Sequence, residues 1–555
     1  MQDYYATVST LQDSDNNGVL SLADCINIDG ELEPEKFANL LEMEEAEAIA
    51  ENVLFSDLRK RESEEEEGAE PPPKKKQRSR SAKSLRPYYF NETGQMVFLK
   101  PTQTFWYLSY VSKPPTEDER WQAKFRRRFR LPHSEFIEML DRLAGNEKFK
   151  RWYRKDAVGN PSSPIELLLL GAFRYLGRGL TFDDLEEYTA INEETHRQFF
   201  HTFIAYGATT LYDEFVKYPK NAQEFREHQD EFNDGGLHGA GFSTDATNVM
   251  MWNCSHNLKQ AHTGWKQSHP ARTYNLTCNH RRQILHTTRG HPSRWNDKTL
   301  AWLDEFLIDL RDGRILQDVY FKLFSWRNRS RCGIGESTKT TRYRGAWGLC
   351  DNGYHRWSCT QAPGKNDVLL TEKHLSQWIE SFRKDVECVF GILKGRFRIL
   401  KTGIRLAGDV AADNVWLTCC ALHNLLLEVD GLHTRWEHGI RSDWEGELGD
   451  NESEEVQRYG PLAIQRLNNP ETFGSRNHEQ ECALPRTFIE NRPIDDDAMS
   501  NGSEGIGLRA DETGALFINS LSYSEFRSKL VEHFDILWRR DRIVWPRSKK
   551  NTLGY

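Results

Sequence analysis

What the chain has little of sets its first limits. Ten cysteines in 555 residues form no C-x-x-C pair and no regular spacing, and Cys388, Cys419 and Cys420 sit inside apolar stretches. A disulfide framework and a thiolate zinc site are thereby disfavoured, and reduced thiols in an intracellular protein are the expectation. No uninterrupted apolar run approaches the roughly eighteen residues that a membrane span requires. The opening MQDYYATVSTLQDSD has neither the basic nor the apolar region of a secretory signal. A soluble protein with no membrane partner is expected. Internal repeats are missing too.

The formal net charge of -9 conceals an uneven distribution. Residues 1–70 hold 20 acids and 4 bases, residues 437–515 hold 18 and 7, and residues 516–555 hold 4 and 8, which leaves +14 for residues 71–436. A basic body between two acidic segments is the arrangement expected if a polyanion binds in the middle and the flanks are solvated.

Composition and periodicity divide the chain into five parts. Residues 1–85 read as a disordered acidic segment ending in a basic run, with Lys74, Lys75, Lys76, Arg78 and Arg80 held extended behind three prolines, a form suited to a nuclear import receptor. Nuclear localisation is the expectation. Within that segment DSDNNGVLSLAD places Asp13, Asp15, Asn17, Gly18, Ser21 and Asp24 at calcium-loop spacing, although Asp stands where the bidentate Glu belongs. Residues 102–235 turn helical. Lys124, Arg126, Arg127, Arg128 and Arg130 form a run of candidate DNA contacts. Ser134 is predicted to cap a helix through Leu143, Ser163 and Glu166 to box the next, and Thr181 and Asn192 to cap two more. Three short-linked helices make a helix-turn-helix-like layout, although Glu193 and Glu194 would repel phosphate at the start of the third.

From 238 to 430 the texture becomes mixed. GFSTDATNVMMWN and RTYNLTCNHRRQILHTT read as strands, NDKTLAWLDEFLIDLRDG as one amphipathic helix, and YRGAWGLCDNGYH as a buried strand ending in a turn at Asn352-Gly353. The helices TEKHLSQWIESFRKDVECVFGILKGRF and NVWLTCCALHNLLLEV close an α/β layer. Residues 431–515 read as a loose acidic segment and 516–555 as a basic amphipathic helix and tail.

Three carboxylates stand where this order could gather them: Asp245 in the first strand, Asp351 after a later buried strand, and Glu387 on the following helix. Such a set repels itself unless it holds divalent cations, and oxygen ligands favour Mg2+ or Mn2+. Each residue also has an ordinary reading, the aspartates as turn residues and Glu387 as a helix-surface partner of Arg383 or Lys394. Asp385 reads as a surface charge, Asp297 as a helix start, and His423 and Asn424 as packing residues of the last core helix.

The segments GFSTDATNVMMWNC, HTTRGHPSRWNDKTL, GLCDNGYHRW, RKDVECVFGILKGRF and CCALHNLLLE closely resemble, in order and spacing, the DDE transposases of the PIF/Harbinger superfamily, also labelled plant transposon protein. The resemblance runs from about residue 120 to 430, and 35 residues separate Asp351 from Glu387, the separation of the D,D35E class. It implies a ribonuclease H-like catalytic core preceded by a helical DNA-binding region, acting on double-stranded DNA at terminal inverted repeats. It further implies metal-binding catalytic roles for Asp245, Asp351 and Glu387, a synaptic homo-oligomer and a separate Myb-like partner protein. Arg383 and Lys394, flanking Glu387, then become candidate phosphate contacts. Ser243-Thr244-Asp245-Ala246 departs from the family's usual Ser-Ile-Asp-Cys and changes the neighbours of the first carboxylate. A domesticated nuclear DNA-binding protein or nuclease derived from such a transposase is the alternative.

Overall fold

The computed structural model describes residues 87–155, 162–264, 268–328, 337–364, 369–434, 511, 513–540 and 542–543, all within one compact unit. The basic run at 74–80, the Asp13–Asp24 loop and nearly all of the acidic stretch after 436 lie outside the described residues.

A hairpin of β1 (Tyr88–Phe90) and β2 (Met96–Phe98) leads into α1 (Phe105–Tyr107), which continues through Ser112. The helices α2 (Glu119–Phe129), α3 (His133–Ala144), α4 (Ile165–Arg178), α5 (Phe182–Thr189) and α6 (Glu193–Tyr206) follow. Thr181 and Asp184 form a reciprocal capping box on α5, and Asn192 caps α6 through the Glu194 N–H. The other two predicted caps are not made. Prolines 132 and 164 occupy the cap positions of α3 and α4 with no side-chain cap bond, so the fixed proline φ, and not Ser134 or Ser163, shapes these entries.

The cationic run of α2 is largely spent inside the protein. Arg126 makes a bidentate pair with Asp430 at 2.8 and 2.6 Å, and Arg128 donates to the Tyr110 hydroxyl. Arg130 is 1% exposed beneath Gly177, where an added Cβ would stand 2.6 Å from its Cγ. Lys124 is exposed and Arg127 half-buried. Of the five candidate DNA contacts, Arg126 and Arg128 are thus paired within the fold and Arg130 is buried, which a charge run alone does not reveal.

The third helix of the predicted helix-turn-helix is similarly engaged. A π turn over Gly207–Leu211 joins α6 to α7 (Tyr212–Phe215), and Gly207 lies against Thr418, whose hydroxyl donates to the Ile204 carbonyl at 3.1 Å. Phe199, Phe200, Phe203 and Ile204 share one core with Val415, Trp416 and Leu417. The exposed side of α6 carries Glu194, Arg197, Gln198 and His201, with Arg197 paired to Glu194 at 2.9 Å.

After α8 (Ala222–Asp234) the chain builds a mixed sheet from β3 (Ala240–Met250), β4 (Ala271–Cys278), β5 (Ile284–Thr287), β6 (His291–Pro292), β9 (Trp347–Leu349) and β10 (Thr360–Gln361). The order is β10-β9-β3-β4-β5, with β6 on β4. The pairs among β3, β4 and β5 are antiparallel, whereas β9 lies parallel to β3 and β10 parallel to β9. Period-two alternation assigns the faces. Tyr274, Leu276 and Cys278 pack with α11 (Leu370–Arg396) and α13 (Asp409–Val429), which are joined through α12 (Arg398–Thr402). Phe242, Leu285 and Cys350 face the opposite layer, α9 (Asp297–Ala301) and α10 (Glu305–Arg311), with Phe225 of α8. The single helix predicted over 296–313 is thus two, because Asp304 is buried and caps α10 through the Leu307 N–H at 3.0 Å.

Between α10 and β9 a hairpin of β7 (Tyr320–Asn328) and β8 (Ser337–Arg344) projects. It is extended by β11 (Leu516–Phe517) parallel to β8 and covered by α14 (Tyr523–Arg539), whose Phe526, Phe534 and Trp538 pack with Trp378 and Phe382 of α11. Asp385 is corrected from a surface charge to a buried one, 2% exposed and 2.6 Å from His280.

By length and composition α13 is apolar enough to cross a membrane, but 83% of that window is buried inside the protein, which makes it a core helix. Asn424 fixes it to the sheet, accepting from the Ile284 N–H and donating to the Ile284 carbonyl. At its start, Arg272 of β4, 3% exposed, meets Asp413 at 2.8 and 2.9 Å, and Asp413 also accepts from Gly290 N–H and the Tyr274 hydroxyl. Removing one partner of such a pair leaves a buried charge uncompensated. Asp413→Ala is expected to cost about 3–5 kcal/mol in denaturant unfolding; a loss below about 1 kcal/mol would show that half-exposed Asp409, 2.5 Å from Arg272, suffices.

Candidate active site

The site begins with strand register. Ser243 pairs with Leu349 across the parallel β3–β9 contact, so Asp245, two residues further along β3, is brought beside Asp351, two residues beyond Leu349 in the turn where β9 ends. Alternation on β3 turns Thr244 toward Asn275 on the α10 face, and its neighbour Asp245 toward α11. Asp351 accepts from the Gly353 N–H at 2.6 Å, and the Tyr354 hydroxyl donates to buried Asn275, which pins the loop after β9.

A fourth carboxylate joins them. An added Cβ at Gly353 would stand 2.5 Å from Asp297 Oδ2 and 3.0 Å from Asp351 Oδ1, so both carboxylates border the space that this glycine leaves open. Asp297 is the first residue of α9, after the Asn296 cap. Its helix-start position was legible in the sequence, but the folding of that start onto the β9 loop was not.

Glu387 lies on α11, half-exposed, at the edge of the stripe that buries Phe382, Val386, Val389 and Leu393. Its partners are Arg383 at 3.0 Å and Lys384 at 3.0 Å. Lys394 is elsewhere: its ammonium donates to Thr247 Oγ1 at 2.8 Å and the Asn248 carbonyl at 3.1 Å, and burial lowers its pKa. Lys394, a candidate phosphate contact in the sequence, thus uses its donors to tie α11 to β3. Arg383 is 8% exposed and donates to Asp245 Oδ2 at 2.9 Å, while its other nitrogen reaches Glu380 and Glu387, each at 3.0 Å.

Charge in this cleft is strained. Burial pushes Asp245 up to about 7; Arg383 and the Ala246 N–H oppose the shift, and Asp351 and Asp297 add to it. Burial also works against the Arg383 charge, but Glu380, Asp245 and Glu387 outweigh it and push its pKa up. The two directions are compatible because one guanidinium is shared among three carboxylates. Among the described residues no three acidic, histidine or cysteine groups converge closely enough to hold an ion as they stand. The donor set nevertheless fits a hard divalent cation in kind, being all oxygen and partly desolvated.

Residues 244–424 match the family described as DDE superfamily endonuclease. That span, about a third of the chain, carries the DDE endonuclease domain. No curated protein and no solved structure matches the chain. All four carboxylates fall inside the matched span, as does Arg383, whereas α2 to α8 lie before it. What such a domain implies is a DNA substrate and the use of a divalent metal.

The Asp245 shift gives a pH dependence with a definite sign. Its folded pKa lies above the unfolded value, so its contribution to metal-free stability is full below about pH 4 and is lost as pH rises toward 7. In EDTA, Asp245→Asn should therefore gain stability relative to the parent between pH 4 and 8, by up to about 4 kcal/mol. A difference in melting temperature that does not change with pH would show Asp245 to be ionised throughout.

Proposed function

We propose that the chain is a PIF/Harbinger-type DNA transposase that hydrolyses phosphodiester bonds at terminal inverted repeats and transfers the freed strand to target DNA. The observation that carries this reading is the parallel β3–β9 register, which sets Asp245 beside Asp351 within the DDE endonuclease domain and under the helix bearing Glu387. The strand order and directions, with three antiparallel strands and two added in parallel, support a ribonuclease H-like core.

In this reading Asp245, Asp351 and Glu387 hold Mg2+ or Mn2+, with Asp297 bordering the same space. An ion held there would supply polarisation of the scissile phosphate and activation of a water or a 3'-hydroxyl. The chain's own contribution is rigidity and position. Asp245 and Asp351 are fixed by strand register, Glu387 by a helix whose adjacent face is core, and the Asp351 loop by Tyr354 on Asn275. The +14 body supports a DNA partner, and the basic run at 74–80 supports action in the nucleus. Family resemblance extends the proposal to a synaptic homo-oligomer and a Myb-like partner.

Supercoiled plasmid bearing inverted-repeat ends, incubated with the full chain and Mg2+, tests the reading. The parent protein should nick it and join ends, and Asp351→Asn should slow nicking by about a hundredfold or more, equivalent to about 2.7 kcal/mol of barrier. Equal nicking by both proteins would overturn the assignment. Metal-dependent nicking without joining would instead favour a domesticated nuclease.

A further inference from the structure

Arg383 occupies the place where a cation is needed. One nitrogen is 2.9 Å from Asp245 and another 3.0 Å from Glu387, so a single guanidinium bridges two of the three carboxylates assigned to metal. The same side chain is also held one turn back on the helix, where its Nε and Nη2 reach Glu380 at 3.3 and 3.0 Å. Lys384 likewise sits between Glu380 and Glu387, at 3.2 and 3.0 Å. Arg383 is therefore fastened by two sets of contacts with different roles: one set inside the site, the other at its margin.

We infer that Arg383 is a resident counter-ion, which holds the carboxylates together in the metal-free protein and must leave Asp245 and Glu387, staying anchored on Glu380, for a divalent cation to be seated. This inference rests on the transposase reading of the site. It follows from charge and geometry together. Without a cation, Asp245 stands beside Asp351, Asp297 borders Asp351, and Glu387 shares Arg383 with Asp245, so removing the guanidinium would leave the repulsion among them uncompensated. With a cation present, a guanidinium at hydrogen-bond distance from two ligands both occupies coordination positions and repels the ion. Glu380, 40% exposed, offers a paired position outside the ligand set, so displacement of Arg383 does not strand a charge. Arg383 thus acts through Asp245 and Glu387 as a positioning residue, and cation affinity becomes a competition between two occupants.

The competition predicts opposite signs for two substitutions in neighbouring positions. Mn2+ binding to the full-length protein, measured by calorimetry and by electron paramagnetic resonance without DNA, should tighten roughly tenfold or more in Arg383→Gln. It should weaken in Glu380→Gln, which removes the outer anchor and leaves Arg383 to Asp245 and Glu387. In parallel, the Arg383→Gln melting temperature should fall in EDTA and recover in saturating Mn2+, which separates an altered site from a damaged fold. Equal or weaker Mn2+ binding by Arg383→Gln, or a change of the same sign in both variants, would overturn the inference while leaving the metal site intact. Absence of Mn2+ binding in the parent and both variants would overturn the metal reading of the carboxylates and the inference with it.

Discussion

Parallel pairing of β9 with β3 is the constraint on which the site depends. A tight turn cannot join parallel neighbours, so the chain must leave the sheet and return between them. Here it spends that excursion on β4 to β6, the broken helix pair α9–α10 and the β7–β8 hairpin. The return strand is only three residues long but fully buried. Because register sets which residues leave the sheet together, a slip of one residue would turn Asp351 to the other face and leave Asp245 beside Cys350. Burial of Trp347 and Leu349 on one side and Cys350 on the other makes that slip costly.

The site was partly legible in the sequence. Asp245, Asp351 and Glu387 stood out because strand, turn and helix motifs recur in a fixed order, and the 35-residue interval ties the last two. Asp297 reads most simply as a helix start, with a catalytic role the lesser alternative, since its partner surface is a loop more than fifty positions away in sequence. Asp385 shows the same limit in reverse. Two residues from Glu387 on the same helix, it points to buried His280 and Arg282, and helical spacing alone cannot distinguish that flank from solvent.

The helical half shows where local signals fail. Caps at Thr181 and Asn192 are decided within four residues and were readable, whereas proline overrode the serines at 134 and 163. The fates of Arg126 and Arg130 are tertiary: one is claimed by Asp430, about three hundred positions later, and the other by the close approach that Gly177 permits. The same holds for α6, which reads as a separable reader helix until Thr418 and Gly207 bring it into a core common to both halves. This half therefore packs into one core with the sheet and helices of the endonuclease domain.

One consequence belongs to the late strand and helix. β11 and α14 arrive after an acidic stretch of about eighty residues, yet they complete the β7–β8 sheet and cover Trp378 and Phe382, on the helix that carries Glu387. During synthesis α11 therefore emerges with part of its apolar face open, and it remains so until the ribosome has passed Arg539. Long-range closure of this kind slows folding and lengthens the interval in which a nascent chain can associate wrongly. The acidic stretch keeps that waiting intermediate negatively charged, a property that favours solubility over self-association while the last layer is still being made.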